Sequence, residues 1–283
     1  MPLLQLRPHP FTSLPAHPSL PADVVRPELR QFTCTALQEA LELLHSVPST
    51  FTADPKLRAS PRHRRRSSFS GYGVNHLMPR TPKMKQNSGE FEAGLKSEHA
   101  EHEMEYTPSV SNVKRLLEWA APQIGEVEVD GVRFRDVNIE VNLITHTFRP
   151  SALIAPRSFI TLAISAAYDT PQKSFCTVQI PLRADSSSTP ETILRQISSS
   201  VPKKAIFASY ASVERVRLLS TTPSSQSLAD PPRIEWTMAT TSDAGGSIPQ
   251  WVQRSWTLGG VPRAVVADVG LFIGWTMRRR NST

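Results

Sequence analysis

Cysteine is nearly absent: Cys34 and Cys176 are far apart, and neither belongs to a CxxC pair. A disulfide framework or a thiolate zinc site needs more than this. Cys176 alternates with Val178 and Ile180, the pattern of a small core residue, and the sparse usage fits a reducing, cytoplasmic setting. No run of 18 apolar residues occurs, so no membrane-spanning helix is expected. The glycine-rich phosphate signatures are missing, as is the GxSxG of serine hydrolases. His99 and His102 lie three residues apart among acids but form no HExxH and no complete ligand set. Glu140 and Glu235 fall on the polar positions of strand-like stretches, and no acid–base pair stands out. The sequence therefore leads us to expect no catalytic residues, no metal and no cofactor.

Acid is missing from one long stretch. Between Lys56 and Gly89 there is no Asp or Glu, while nine basic residues accumulate there, with Arg64, Arg65 and Arg66 in a row. Setting those nine aside turns the formal charge of the chain from +7 to −2. The high pI therefore belongs to this run and not to the remainder. Residues 53–89 also lack periodicity and are rich in Ser and Pro, the composition of a disordered basic linker. Such a run can contact an anionic membrane peripherally. Nucleic acid is the less favoured partner, since only Phe69 and Tyr72 interrupt the run as aromatics. Arg64 to Ser68 also fits a basophilic kinase site at Ser67 or Ser68.

What is present reads as helices, then strands, then helices. Residues 1–26 are Pro-rich and irregular. Residues 27–47 form an amphipathic helix with Phe32, Ala36, Leu37, Ala40, Leu41 and Leu44 on one face, docking on the main domain. Helices are expected from Phe91 to Glu103 and from Val110 to Trp119. The period then changes to two. Val137, Ile139, Val141 and Leu143 alternate with Asp136, Asn138, Glu140 and Asn142, a half-buried strand with one wet face. Further strands follow around Phe159, Cys176, Ile206, Val213 and Trp236. The order gives an α+β fold with an antiparallel sheet of about six or seven strands.

The C-terminal stretch reads as a short helix ended by Gly259 and Gly260, then a long one opened by Pro262. Val265, Val266, Val269, Phe272, Ile273 and Thr276 share one face of the long helix. Ala267, Gly270 and Gly274 lie opposite, a smooth stripe suited to close approach. A helix apolar on so much of its circumference calls for cover on two sides. A curved sheet wrapped around it supplies that cover.

Two motifs carry a resemblance. Pro156, Arg157, Ser158, Phe159 and Ile160 are similar to the Pro-Arg-Asp-Phe-hydrophobic strand start of the START-like, or helix-grip, superfamily. Gly246 and Pro249 resemble the Gly-x-x-Pro opening of its C-terminal helix, with Trp251 just beyond. Ser158 replaces the usual Asp. Ala163 stands where some sterol-binding members carry a buried Arg. Glu98 to Pro108 and Ile248 to Phe272 more closely resemble a fungal group, the domain-of-unknown-function family 3074. The resemblance covers residues 91–280.

It implies an internal cavity between the curved sheet and the C-terminal helix. The expected lining is Val141, Leu143, Val178, Ile180, Trp236, Met238, Val265, Val269, Phe272 and Ile273. The expected partner is a lipid or other hydrophobic small molecule, bound without catalysis by a monomer for transfer or sensing. Two alternatives stand: a START-like enzyme of the cyclase type, and an interaction protein acting through its basic linker.

Overall fold

A computed structural model describes residues 2–50, 52–53, 64–68, 71–77, 88–96, 98–148, 154–169, 172–219, 233–248, 253 and 261–282. Six long strands form the body: β5 (Val110–Trp119), β7 (Val132–His146), β8 (Arg157–Tyr168), β9 (Ser174–Arg183), β11 (Ser209–Leu219) and β12 (Arg233–Asp243). They lie in the order β5-β7-β8-β9-β11-β12, all antiparallel. Past β12 the sheet continues through β4 (Gly71–Leu77), β3 (Arg64–Ser68) and β2 (Thr52–Ala53). Two-residue strands β1 (His9–Pro10) and β10 (Ile206–Phe207) add parallel pairs to β9 and β8. β6 (Val127–Val129) closes a hairpin on β7. The hairpin turns at Asp130 and Gly131, whose φ values of 51° and 75° are the pair a type I′ turn demands.

The helices are α1 (Leu29–Thr50), α2 (Ser88–Leu95), α3 (His99–Tyr106), α4 (Ala121–Ile124), α5 (Glu191–Ser200) and α6 (Val261–Ser282). The Glu28 carboxylate accepts from the N–H groups of Arg30 and Gln31 at 2.9 and 2.7 Å, satisfying two of the donors left open at the start of α1. Phe32, Ala36, Leu37, Ala40, Leu41 and Leu44 are all buried, as their spacing requires. The irregular N-terminal segment packs on this helix. Phe11 and Leu14 enter the core, and the Leu3 and Leu4 N–H groups donate to the Glu39 carboxylate at 2.7 to 2.9 Å.

Several expectations are corrected. Residues 110–119 are strand β5, not a helix. A bulge between Arg115 and Leu117 inserts one extra residue, so Leu116 and Leu117 fall side by side and mimic helical spacing. The single helix expected from Phe91 to Glu103 is two, α2 and α3, separated where Glu98 takes a left-handed φ of 47°. Third, the face of β7 expected to be wet is so only at the start of the strand, where Asp136 is exposed and Asn138 half-buried. Glu140 and Asn142 are 3% and 1% exposed. Within 53–89, read as a basic linker without regular structure, residues 64–68 and 71–77 are strands paired to each other and to β12. Backbone bonds to a sheet edge need no apolar side chains, so composition does not announce them.

The two faces of the sheet pack against different partners. Val141, Leu143, Leu162, Ile164, Val178, Ile180 and Val213 join α1 and the N-terminal segment in one core cluster. Phe175, Val216, Ile234, Trp236 and Met238 join Phe91, Tyr106, Val269, Phe272 and Trp275 in a second. Helix α6 is therefore held on the face opposite α1, with α2 and α3 beside it, which is the helix-grip arrangement. The Thr177 hydroxyl donates to the Leu95 carbonyl at 3.0 Å and ties α2 to β9. Arg280 pairs with Glu90 and ties the end of α6 to the start of α2. Ala267, Gly270 and Met277 are exposed, so α6 is covered on one side and not on two.

Candidate functional site

The register defines what α6 looks down on. Successive rungs across β7, β8 and β9 bring Asn142, Thr161 and Pro181 together, with Tyr210 of β11 beside Thr161, and across β7, β8, β9 and β11 then Glu140, Ala163, Gln179 and Ser212, then Asn138, Ser165, Thr177 and Glu214. The following rung is Ala167, Phe175, Val216 and, on β12, Trp236. One end of this face is thus polar and the other apolar. At the apolar end Phe272 is fully buried among rings, with centroids 5.0 Å from Phe91, 5.5 Å from Tyr106, 5.4 Å from Trp236 and 5.6 Å from Trp275. These edge-on and tilted contacts fix the height of α6 above the sheet.

The polar end is buried too. Thr161, Ser165, Thr177, Gln179, Ser212 and Glu214 all fall between 1% and 7% exposed. Some of these groups satisfy one another: Ser212 donates to Gln179, and Asn142 donates to Glu140 at 2.7 Å. The Glu140 carboxylate also meets Arg115 at 3.1 Å, a guanidinium shared with Glu101 and Glu118. Desolvation still raises the Glu140 pKa, against those two favourable contacts.

Three further acids, on three elements, feel one another's charge: Glu103 of α3, Glu214 of β11 and Asp268 of α6. Burial pushes Glu103 up to about 8, and the charges of Asp268 and Glu214 add to the effect. Glu214 rises to about 7 through burial, opposed by a hydrogen bond from the Trp236 indole at 3.1 Å and helped by Asp268. Asp268 rises to about 7 through burial. Tyr106 and Tyr210 stand close enough for the same acids to raise their phenols, although desolvation is the larger cause. Glu103, Asp268 and Tyr210 keep some accessible surface although protein surrounds them.

The structure does not bring the expected lining together. Val141, Leu143, Val178 and Ile180 are on the α1 face, in the first core cluster. Trp236, Met238, Val269 and Phe272 are on the α6 face, with Ile273 half-buried at its margin. The Val265 side chain, Pro249 and Trp251 lie outside the described residues. Of the motif residues, Arg157 donates from Nε to the Ala244 carbonyl at 2.7 Å and from its terminal amine to Ala155, so it clamps the start of β8 to the loop after β12. The Phe159 ring lies on the interior face between His146 and Tyr210, at 5.4 and 5.2 Å. Pro156 precedes the clamp, and its carbonyl accepts from the Ile206 N–H at 2.9 Å. Gly246 has φ 65° and sits against Ile206.

The histidine pair divides. His99 is buried, and desolvation lowers its pKa to about 4, so it is neutral near pH 7. His102 packs on Trp275 with centroids 5.5 Å apart. Among the described residues no three His, Cys, Asp or Glu side chains are close enough to hold a metal ion. Sequence reading missed Glu103 and Glu214 as interior groups. The signal available was Asp268 itself, an acid on an otherwise apolar helix.

No curated protein matches the chain. Among solved structures it is similar to the crystal structure of human STARD10, at 12% identity with a TM-score of 0.42, over 85% of this chain and 81% of that one. The profile of the family described as "Protein of unknown function (DUF3074)" matches residues 63–276, which takes in the strands of the basic run as well as the sheet and α6. The chain belongs to that family.

Proposed function

We propose that the protein binds an amphipathic small molecule between the sheet and α6, without chemical change to it. One observation carries this: the face under α6 is graded, polar on three rungs and apolar on the fourth, and it is roofed by helices rather than left to water. The opposite face of β7, β8 and β9, which packs on α1, is by contrast built through its middle from Val, Ile, Leu, Ala and Cys side chains. The small residues Ala163, Ser165 and Ala167 along β8 keep the middle of the face low. An apolar tail beside Phe175, Val216 and Trp236 gains about 25 cal/mol per Å² removed from water. A polar head meets the acids and amides at the other end. The reading keeps the expected hydrophobic partner, moves its lining to one face and adds a head.

The interior acids Glu103, Glu214 and Asp268 favour a second reading, general acid–base catalysis, because carboxyls raised to near 7 can both give and take protons. The two readings differ in the fate of the bound molecule. Native mass spectrometry of protein purified from its own source should show a bound species whose mass does not change on incubation. A changed mass supports the enzyme. Titration with 1-decanol should alter tryptophan fluorescence, since Trp236 and Trp275 both border the face. No bound species and no spectral change would overturn the binding reading.

A further inference from the structure

We propose that the end of the sheet where β8 and β11 begin is a docking surface for an anionic lipid bilayer, with Lys203 and Lys204 against the head groups and Phe207 inserted among them. The inference goes beyond the binding reading and stands without it.

The fold holds Phe207 outward. Helix α5 ends at Ser200, and the chain turns at once, the Ala205 N–H donating to the Pro202 carbonyl at 2.9 Å. Strand β10 then runs beside the first residues of β8, a place that β9 does not fill because its pairing with β8 stops at Pro181. The Ile206 N–H donates to the Pro156 carbonyl and the Ala208 N–H to the Ser158 carbonyl, both at 2.9 Å. A Cβ on Gly245 would lie 2.6 Å from the Phe207 carbonyl oxygen, so the loop after β12 is packed against the same backbone. The main chain at Phe207 is thus fixed from two directions. Its ring is nevertheless 52% exposed, the one aromatic among the large exposed apolar side chains of the described residues. A loose loop is free to turn such a ring inward; this strand presents it. Ile154, two residues ahead of Pro156, is also exposed.

Single exposed apolar residues are ordinary, so exposure alone decides little. The charge pattern is the second observation. The chain has no Asp or Glu from Val141 to Tyr168, from Thr192 to Val213, or from Ala244 to Ala267. These stretches include the end of β7, the start of β8, the end of α5 and the start of β11. The register gathers those ends on one side of the molecule, with His146 opposite Arg157 and Ser209 opposite Asp243. Lys203 and Lys204 are exposed there, and neither pairs with a carboxylate among the described residues. Three residues of chain span at most about 11 Å, which keeps Lys204 near the Phe207 ring. The acids bordering this end are engaged: Asp243 accepts from the Gly245 N–H at 2.9 Å, and Asp185 pairs with Arg183 at 3.0 Å.

The combination selects the partner. A phosphate-bearing polymer would use the two lysines and leave the ring in water. An anionic bilayer uses both, because its surface attracts the ammonium groups while the ring enters the boundary between head groups and acyl chains. The lysine stems can lie along that boundary with their charges in water. Rings at the same end run from the half-buried Phe148 through His146 and Phe159 to Tyr210, with centroids 6.2, 5.4 and 5.2 Å apart. A docked protein would therefore turn this end of the α6 face toward the lipid.

Co-sedimentation of the full-length protein with vesicles tests the inference. Vesicles of equal parts phosphatidylcholine and phosphatidylserine should bind it, and vesicles of phosphatidylcholine alone should bind it far more weakly. A lysine near an anionic surface adds about fivefold in affinity, so K203Q/K204Q should bind the mixed vesicles at least about tenfold more weakly. Raising salt from ~0.01 M to ~0.15 M shortens the screening length from about 30 to about 8 Å, so this difference should shrink. F207A removes an apolar contact that salt does not screen, and its loss of about tenfold should stay constant. All three side chains are exposed, so both variants should keep the urea midpoint of the wild type. In F207W, brominated acyl chains in the mixed vesicles should quench fluorescence beyond the quenching seen in the wild type, which reads insertion directly. No binding to mixed vesicles, or no added quenching in F207W, would overturn the inference. So would binding to a homopolymeric RNA without binding to vesicles. An anionic preference abolished by R64Q/R65Q/R66Q and untouched by K203Q/K204Q would place the contact on the basic run instead, and would overturn it too. None of these outcomes bears on whether a small molecule occupies the face under α6.

Discussion

Gly94, the penultimate residue of α2, sets helix propensity against packing. Alanine in place of glycine inside a helix is worth about 1 kcal/mol, and less near a helix end. From sequence alone, Gly94→Ala should therefore stabilise. The packing says the reverse. A Cβ at this position would lie 2.6 Å from Cε2 of Phe272 and 2.6 Å from Cζ3 of Trp275. Carbon atoms in contact prefer about 3.5–4.0 Å, so both rings must retreat by about 1 Å. Neither ring is free to do so. Phe272 is hemmed in by Phe91, Tyr106 and Trp236, and the Trp275 indole donates to Glu105 at 2.8 Å. Overpacking of this kind costs about 1–3 kcal/mol. After the gain in propensity, Gly94→Ala should lose about 1–2 kcal/mol. Urea unfolding checks this as a lower midpoint at unchanged slope. In a Phe272→Leu background the smaller side chain should relieve the clash, so the two changes should couple by about 0.5 kcal/mol or more. A raised midpoint, or strict additivity with Phe272→Leu, would refute the close approach of α2 to α6.

Other expectations follow from single contacts. Phe272→Ala removes a fully buried ring and should cost about 3–5 kcal/mol in urea unfolding. Arg157→Lys cannot span both the Ala244 and Ala155 carbonyls and should lower the unfolding midpoint by the equivalent of about 1–2 kcal/mol. The interior titrations set the pH dependence. Glu103, Glu214 and Asp268 have raised values in the fold, so the native state holds their protons to higher pH than the unfolded chain does. Their contribution to stability is present below about pH 4 and is lost as pH rises through about 7 to 8. His99 and His146 are lowered by burial to about 4, so their contribution is lost in the other direction, as pH falls from the unfolded value of 6.5. The opposed slopes offset each other between about pH 4 and 6.5, and the acids alone act above it, so stability should fall from about pH 6.5 to 8. Glu103→Gln should flatten that fall and add about 2 kcal/mol at pH 8, less than the full shift implies because the carboxyl keeps some accessible surface.

Much of the architecture was legible. The face of α1, the alternation in β7, β8 and β9, and the long C-terminal helix all follow from periodicity, because burial on one side selects apolar residues at the helical or strand interval. The failures share a cause. A bulge in β5 shifted two leucines into adjacent positions, and a one-residue shift moves every later side chain across the sheet. The pairing of residues 64–77 rests on backbone hydrogen bonds to the edge of β12, which leave no hydrophobic signature.

The site was missed for a different reason, and the miss is informative. Alternation in the sequence reports which residues are polar, and solvent is only the usual cause of polarity. In β7 the polar positions Asn138, Glu140 and Asn142 lie on the face opposite α1, where Glu140 meets Arg115, itself paired with Glu101 of α3, and the apolar ones face α1. Glu140 and Asn142 are buried as well, so the α1 side is the packed core and the polar side is covered rather than open to water along this part of the strand. A strand with one wet face and a strand with one covered polar face have the same sequence pattern. What separates them is a second element able to roof the polar side. A roof over such a face must itself tolerate polarity, and an apolar helix carrying one acid has that character. Asp268 on α6 is that mark: burial raises its pKa, and its charge helps raise those of Glu214 and Glu103.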